Sequence, residues 1–555
     1  MSRSDLRAAH HAAVNRRAFL NALLGAGAAL AAPPWAPRRA FAALPPEDAL
    51  TVSILHTTDL HGRVLGDSVR GYGADVGGFA RCAAQIRRWR RENPNTILLD
   101  LGDLYQGTDA GWRSEGRLMT DCLNALDYDA WSLGNHEFDW GLEPVHDALR
   151  HCRAPAIGTN LLLEGRNPED FDAGADHPLS KILPWKIMDV GGVRIGLLGF
   201  TTPGMPYWFP DSFYEGMTFL DCADPARRAE AALRAAGVDA VVLFGHMGLR
   251  PEGDNQSNQV RAVMQACPRA AAYIGAHSHR LHLDDRVGDV VYTQAHFWGS
   301  HLGRLDLTFD RASGRLVSRR TEMAFLGPDA PMDPVVLDLC RDRLDESAAA
   351  LAQPVGRLAE TLGIESAPGA PSDVERLIGA AVTEGMAQRA VRVDGVIHGV
   401  FARSTFEAGE KTVTDMWRII PFENFTLTAQ LTPAQIAAIL NECYARSERN
   451  LMGMRAQVRR EGEGAAVERI LLPGGVPADP GRRYTVAFNT WDAQSGGGRL
   501  RRTREILREP ESRAEVHRVQ TRQSLIEFFL RHETVGRAHL AAAHERAPRA
   551  VVGAA

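Results

Sequence analysis

The chain has 555 residues, 45% of them hydrophobic and 24% charged, with a formal charge of −5 at pH 7. That length exceeds what one core normally serves, and the absence of a basic excess argues against wrapping nucleic acid or docking on an anionic membrane. Its seven cysteines are scattered and odd in number with no C-x-x-C pair, which argues against a disulfide framework or a thiolate metal site and leaves buried free thiols as the expectation.

The first 42 residues read as a targeting segment. Asn15-Arg16-Arg17-Ala18-Phe19-Leu20 precedes an Ala/Gly/Leu-rich run from Leu20 to Ala32, and Ala40-Phe41-Ala42 offers small residues for cleavage. The segment resembles a twin-arginine export signal, and its apolar run is too short to span a bilayer comfortably. Removing residues 1–42 takes away six Arg and one Asp, which leaves an acidic mature protein of formal charge −10. The expected destination is the periplasm, with the Tat translocase as partner during export and no stable membrane insertion.

From residue 50 onward, apolar runs alternate with helical patterns. Five of the runs (52–55, 97–99, 130–133, 240–244 and 271–274) are predicted strands. Gly78 to Asn93 is predicted as a helix with Phe79, Ala83, Ile86 and Trp89 on one face and Arg87, Arg88, Arg90 and Arg91 on a solvated one. Val193–Phe200 and Val290–Asp310 are further expected strands, the second carrying His296 and His301 as structural histidines. Each of the five runs ends in residues of metal-ligand type: Asp59-Leu60-His61, Asp103, Asn135-His136, His246, and His277-Ser278-His279. Strand ends are rigid edges on which short loops hold ligands. Asp, Asn and His supply hard oxygen and borderline nitrogen donors, which suit Mn, Zn, Fe or Co. Two divalent ions about 3.5–4 Å apart would supply a nucleophile and charge neutralisation for phosphate ester hydrolysis, with Asp103 as the candidate bridging carboxylate.

The motifs His56-Thr57-Thr58-Asp59-Leu60-His61-Gly62, Leu101-Gly102-Asp103, Gly134-Asn135-His136-Glu137-Phe138-Asp139, Gly245-His246 and Gly275-Ala276-His277-Ser278-His279 resemble those of the calcineurin-like metallophosphoesterases, specifically the 5'-nucleotidase family. The resemblance implies an α/β fold: a four-layer αββα sandwich over 43–325, a connector over 326–355, a smaller α/β substrate-binding domain over 356–510 and a tail over 511–555. It also implies that Asp59, His61, Asp103 and His279 hold one metal and Asp103, Asn135, His246 and His277 the other. His136 and Asp139 match the family's His-Asp dyad, in which the histidine sits near the transferring phosphoryl group and the aspartate orients it. At the position of His279 some secreted nucleotidases carry Gln or Asn.

Between 325 and 355 a Pro-containing loop leads into a charged helix predicted from Asp333 to about Ala352. The second half carries His398-Gly399-Val400-Phe401-Ala402-Arg403, Pro421-Phe422, Trp491 and Ser495-Gly496-Gly497-Gly498. By the same resemblance Arg403 would bind phosphate oxygens, while Phe422 and Trp491 would clamp a base between their rings. The family's loop has Asn where this chain has His398 and two more glycines, and its turn has Asp where this chain has Gly498. The implied substrate is a phosphate ester, a nucleoside 5'-monophosphate first of all. Rival activities on the same scaffold are cyclic-nucleotide phosphodiesterase, nucleotide-sugar hydrolase and the thiosulfohydrolase of periplasmic sulfur oxidation. That last subfamily lacks the histidine that this chain keeps as His136. A catalytically silent binding protein is the alternative of a different class.

Overall fold

The computed structural model describes residues 48–164, 178–401, 404–422, 424–446, 449–461 and 464–540. The expected export segment 1–42 and Arg403 lie outside the described residues. The first half is built on two sheets. One has seven strands in the order 316–325, 301–310, 49–57, 96–100, 130–131, 156–157 and 182–183; the other has six, in the order 281–287, 290–295, 272–275, 240–245, 193–200 and 186–190. The inner strands of both are parallel, and each sheet has antiparallel strands at an edge.

Side-chain alternation sets the layers. Val52, Ile54, Ile97 and Leu99 point across to Ile195, Leu197, Val242 and Phe244 in the core between the sheets. The alternate residues point outward: Leu55 and Leu98 meet the helices Phe79–Glu92 and Arg117–Ala125, and Leu198, Phe200, Val241 and Leu243 meet Ala223–Ala235 and Val260–Ala266. A strand buried on both faces needs continuous hydrophobicity, and Ala-Val-Val-Leu-Phe-Gly at 240–245 has it. The result is the expected four-layer αββα sandwich.

The helix Pro334–Leu351 follows, capped by Asp333, whose carboxylate accepts from the N–H groups of Val335 and Val336 at 3.0 Å each. Beyond it lies a second α/β layer. Its five-stranded sheet runs 450–452, 395–398, 484–489, 425–431 and 515–520, with the helices Asp373–Ala387 and Thr521–His532 packed together on it. No helix among the described residues is long and apolar enough to cross a membrane.

Three expectations change. The run 290–310 is two strands in different sheets, because His296 and Trp298 take left-handed backbone (φ 66° and 56°) and turn the chain between them. Residues 511–535, read as tail, contribute the strand Glu515–Gln520 and the helix after it; the strand's Arg and His residues hide its alternation in the sequence. The arginine face of the first helix is only partly solvated: Arg87 pairs with Asp333 at 2.7 Å and Arg90 donates to the Leu126 carbonyl at 2.5 Å. All seven cysteines are buried and outside any disulfide, and the Sγ atoms of Cys122 and Cys340 lie 3.5 Å apart.

Candidate metal centre

The loops that carry the ligand-type residues are zipped together by their backbones. Asp59 N–H donates to the Gly102 carbonyl at 3.1 Å, His61 N–H to Asp103 at 2.9 Å and Gly62 N–H to Leu104 at 2.9 Å. Below them Asp100 takes a hydrogen bond from Thr57 Oγ1 (2.7 Å) and one from Gly102 N–H (3.0 Å), and burial pushes its pKa up to about 8. The zipped geometry demands unusual backbone. Asp59, His61, Asp103, His277 and His279 all have φ between 49° and 66°, a region that costs L-residues energy and persists where the surroundings fix it.

Two groups of side chains converge. Asp59, His61, Asp103 and His279 form one, Asp103, His246 and His277 the other, with the candidate ligand atoms of each group within 4.8 Å of one another. Asp103 belongs to both, its Oδ2 lying 3.1 Å from His246 Nε2 and 3.7 Å from His61 Nε2. The outer ring nitrogens are fixed by carbonyls, which only accept: His246 Nδ1–H donates to Leu101 at 2.8 Å and His61 Nδ1–H to Gln106 at 3.0 Å. Both Nε2 atoms are thereby turned inward, where they are available to a metal ion. His61 Nε2 then faces His279 Nε2 at 3.1 Å, and His246 Nε2 faces His277 Nδ1 at 3.3 Å.

Such opposed nitrogens call for a cation. Burial holds the His61 and His277 imidazoles down at about 3, so both are neutral donors of lone pairs. At His246 burial also pulls downward, but the Asp103 charge and hydrogen bond lift it to about 9, which shows how strongly the carboxylate favours a positive charge beside it. At Asp103 burial pushes upward, yet His246, His136 and His61 hold the carboxyl well below the usual range. Asn135 Oδ1 is buried without a hydrogen-bond partner, which leaves its carbonyl oxygen available to an ion. The residues present therefore fit two divalent ions sharing Asp103.

His136 stands beside this cluster. Its N–H donates to Asp103 Oδ1 at 2.8 Å, its Nδ1 lies 2.8 Å from Asp139 Oδ2, and its ring centroid is 5.3 Å from that of His61. Burial lowers the His136 pKa, but Asp139 and Asp103 together raise it to about 10, so the imidazole is a hydrogen-bond donor.

The substrate-side residues are spread further. Trp491 stacks on Trp208 at 6.3 Å, and Trp208 in turn lies 5.2 Å from the His277 ring. Phe422 is 47% exposed and meets Phe401 edge-on at 5.6 Å. No ring contact joins Phe422 to Trp491 among the described residues.

Two residues went unassigned at the level of sequence. The Glu137 carboxylate accepts from the N–H groups of Gly134 (2.6 Å), Asp103 (2.8 Å) and Leu104 (2.7 Å), so it fixes the loop that presents Asp103. An acid next to a candidate catalytic histidine was the available signal. Trp208 gave none, because its contact with His277 exists only in three dimensions.

Comparison with known proteins agrees with this geometry. Residues 52–281 match the calcineurin-like phosphoesterase family, and residues 354–503 match the 5'-nucleotidase C-terminal domain. A snake venom 5'-nucleotidase of Naja atra is 31% identical over 301 residues, covering 51% of this chain and 55% of that protein. The chain spans about half the length of the curated relatives it matches. A 5'-nucleotidase precursor of Thermus thermophilus superimposes with a TM-score of 0.63 at 24% identity, over 88% of this chain and 97% of that one. The sulfate thiohydrolase SoxB of the same organism, solved with glycerol, gives a TM-score of 0.58 at 20% identity, over 89% and 96%. These two likenesses establish the fold. The chain is thus similar to a calcineurin-like phosphoesterase over 52–281 and to a 5'-nucleotidase C-terminal domain over 354–503.

Proposed function

We propose that this protein is an exported two-metal phosphoesterase that hydrolyses phosphate monoesters, nucleoside 5'-monophosphates foremost. The observation that carries the reading is the sharing of Asp103 by two converging ligand groups at the strand ends of a calcineurin-like phosphoesterase domain. Asp59, His61, Asp103 and His279 would hold one ion, and Asp103, Asn135, His246 and His277 the other. Ions of the Mn, Zn, Fe or Co type bound there would supply positive charge against the phosphoryl oxygens and lower the pKa of water toward neutrality. His136, oriented at Nδ1 by Asp139, donates a hydrogen bond to the phosphoryl group as charge builds on it. Arg403 contacts phosphate, and Phe422 and Trp491 take the base. The exposure of Phe422 and the place of Trp491, one ring away from His277, support that assignment. Export rests on Arg16-Arg17 and the apolar run behind them, which argues for action in the periplasm.

The test is phosphate release from nucleoside mono-, di- and triphosphates, cyclic nucleotides, nucleotide sugars and sugar phosphates, with Mn, Zn or Co added. Elemental analysis should find two transition ions per chain, and Asp103→Asn should lose both metal and activity. Phe422→Ala should raise KM for the nucleotide about tenfold or more, from the loss of roughly 1–3 kcal/mol of stacking, and spare sugar phosphates. A metal-poor chain without turnover would overturn the enzyme reading. A Phe422→Ala protein with unchanged nucleotide KM would overturn the base clamp alone.

A further inference from the structure

The helix Arg501–Arg508 reads Arg-Arg-Thr-Arg-Glu-Ile-Leu-Arg, four arginines to one glutamate. Thr503, Ile506 and Leu507 are its buried side. Arg501, Arg504 and Arg508, at helical spacings of three and four, line a cavity of about 210 Å³ together with Tyr207, Gln256 and Ser495. Glu505, the one acid of the lining, is turned to Arg502 at 3.1 Å.

The arginines are under-compensated. Arg508 pairs with Asp211 at 2.7 Å, and Arg501 Nε donates to the Gly498 carbonyl at 3.3 Å. Arg504 lies over the Tyr207 ring with its guanidinium carbon 5.0 Å from the centroid, and its Nε is buried with no hydrogen-bond partner. Burial first, and then the neighbouring Arg508, pull its pKa below the usual arginine range. A buried N–H without an acceptor, among like charges on one helix face, costs stability unless an acceptor of opposite charge arrives. The planar guanidinium fork matches the geometry of a tetrahedral oxyanion.

The cavity also has a meaningful address. Ser495 Oγ donates to the Tyr207 carbonyl at 2.8 Å, so the cavity lies on the seam between the two halves. Tyr207 directly precedes Trp208, the ring that touches His277. We propose that Arg501, Arg504 and Arg508 form a binding site for a phosphate-type oxyanion on the seam between the two halves. Two sources share this chemistry: a phosphate group beyond the scissile one on a substrate with several, and free inorganic phosphate. The first source rests on the phosphoesterase reading above; the second does not.

The experiment compares metal-loaded wild-type protein with Arg504→Gln in two arms. Calorimetric titration with inorganic phosphate needs no turnover, and the site predicts one more phosphate bound per wild-type chain than per variant chain. The kinetic arm reads the ratio of kcat/KM for nucleoside di- and triphosphates to that for the monophosphate, which should fall about tenfold in Arg504→Gln if a distal phosphate is the occupant. A change in the first arm alone assigns the site to free phosphate, and a change in the second alone assigns it to substrate. Equal phosphate stoichiometry together with an unchanged ratio overturns the proposal. Should Arg504→Gln fail to fold, Arg504→Lys, which keeps the charge but loses the fork, reads the same two arms with a smaller loss. If no phosphate ester is cleaved at all, the titration still decides the site, so its failure is separable from failure of the catalytic reading.

Discussion

Glu137 illustrates how one side chain sets the geometry of others. Its two oxygens gather three backbone N–H groups, including that of Asp103, and any shift of the carboxylate would move the candidate bridging ligand. His136, next to it in the chain, has its Nδ1 held by Asp139 and belongs to neither of the two converging ligand groups. Replacing His136 with Asn should therefore leave both metals in place and slow turnover by roughly 10²–10⁴, the range for a lost acid-base or charge-stabilising group. Metal content and kcat measured on one preparation check this, and loss of the ions along with activity would make His136 a ligand. The ligand-type residues were legible because each follows an apolar run that the sequence displays. Glu137 was visible within its motif, but its role was not, because backbone acceptors leave no pattern in side-chain identity.

At the scale of elements, the centre depends on loops that the regular strands force into tight turns. Gly102 sits at φ 85°, and a Cβ there would lie 2.3 Å from the Gly134 nitrogen and 2.8 Å from the Ser132 carbonyl oxygen, both immovable backbone. Gly102→Ala should cost about 1–2 kcal/mol for the left-handed conformation alone and more for the clash. Chemical denaturation should show the lowered stability, and elemental analysis the loss of metal; a variant as stable and as metal-rich as the wild type would contradict this account of the turn. Strand ends could be read from the apolar runs, and the helix Pro334–Leu351 from the charged stretch that follows a Pro-containing loop. The break at His296–Ser300 could not, since nothing in that composition announces left-handed φ at a histidine and a tryptophan. The arginine face of Phe79–Glu92 misled for a related reason: Arg87 and Arg90 are long enough to leave their own face and satisfy partners on other elements.

For the whole molecule, the fold class was legible because continuous apolar runs of strand length and amphipathic helical patterns follow one another along the chain. The seam between the halves was not. It is made by single contacts such as Trp491 on Trp208, Phe213 against Phe425 and Arg508 with Asp211, whose partners are remote in sequence. The helix Pro334–Leu351 buries Val336 and Cys340 in the core of the first half. Movement of one half against the other would therefore have to pivot beyond Leu351 or break that packing. The ligand cluster has a final consequence for how the folded state is populated. Five residues held at left-handed φ, together with opposed ring nitrogens, make the folded chain costly to assemble without cations, while the unfolded chain has no such cluster to fill. Folding and metal availability are then linked by mass action. A metal at a hundred times its dissociation constant adds about 2.7 kcal/mol for a single site, or roughly 5 °C if the first half melts as a unit. Scanning calorimetry across a metal titration should show the midpoint climbing with free ion and falling on chelation, and a midpoint indifferent to both would contradict the linkage. The melting temperature of this protein is in that sense a gauge of the metal supply in the compartment where it folds.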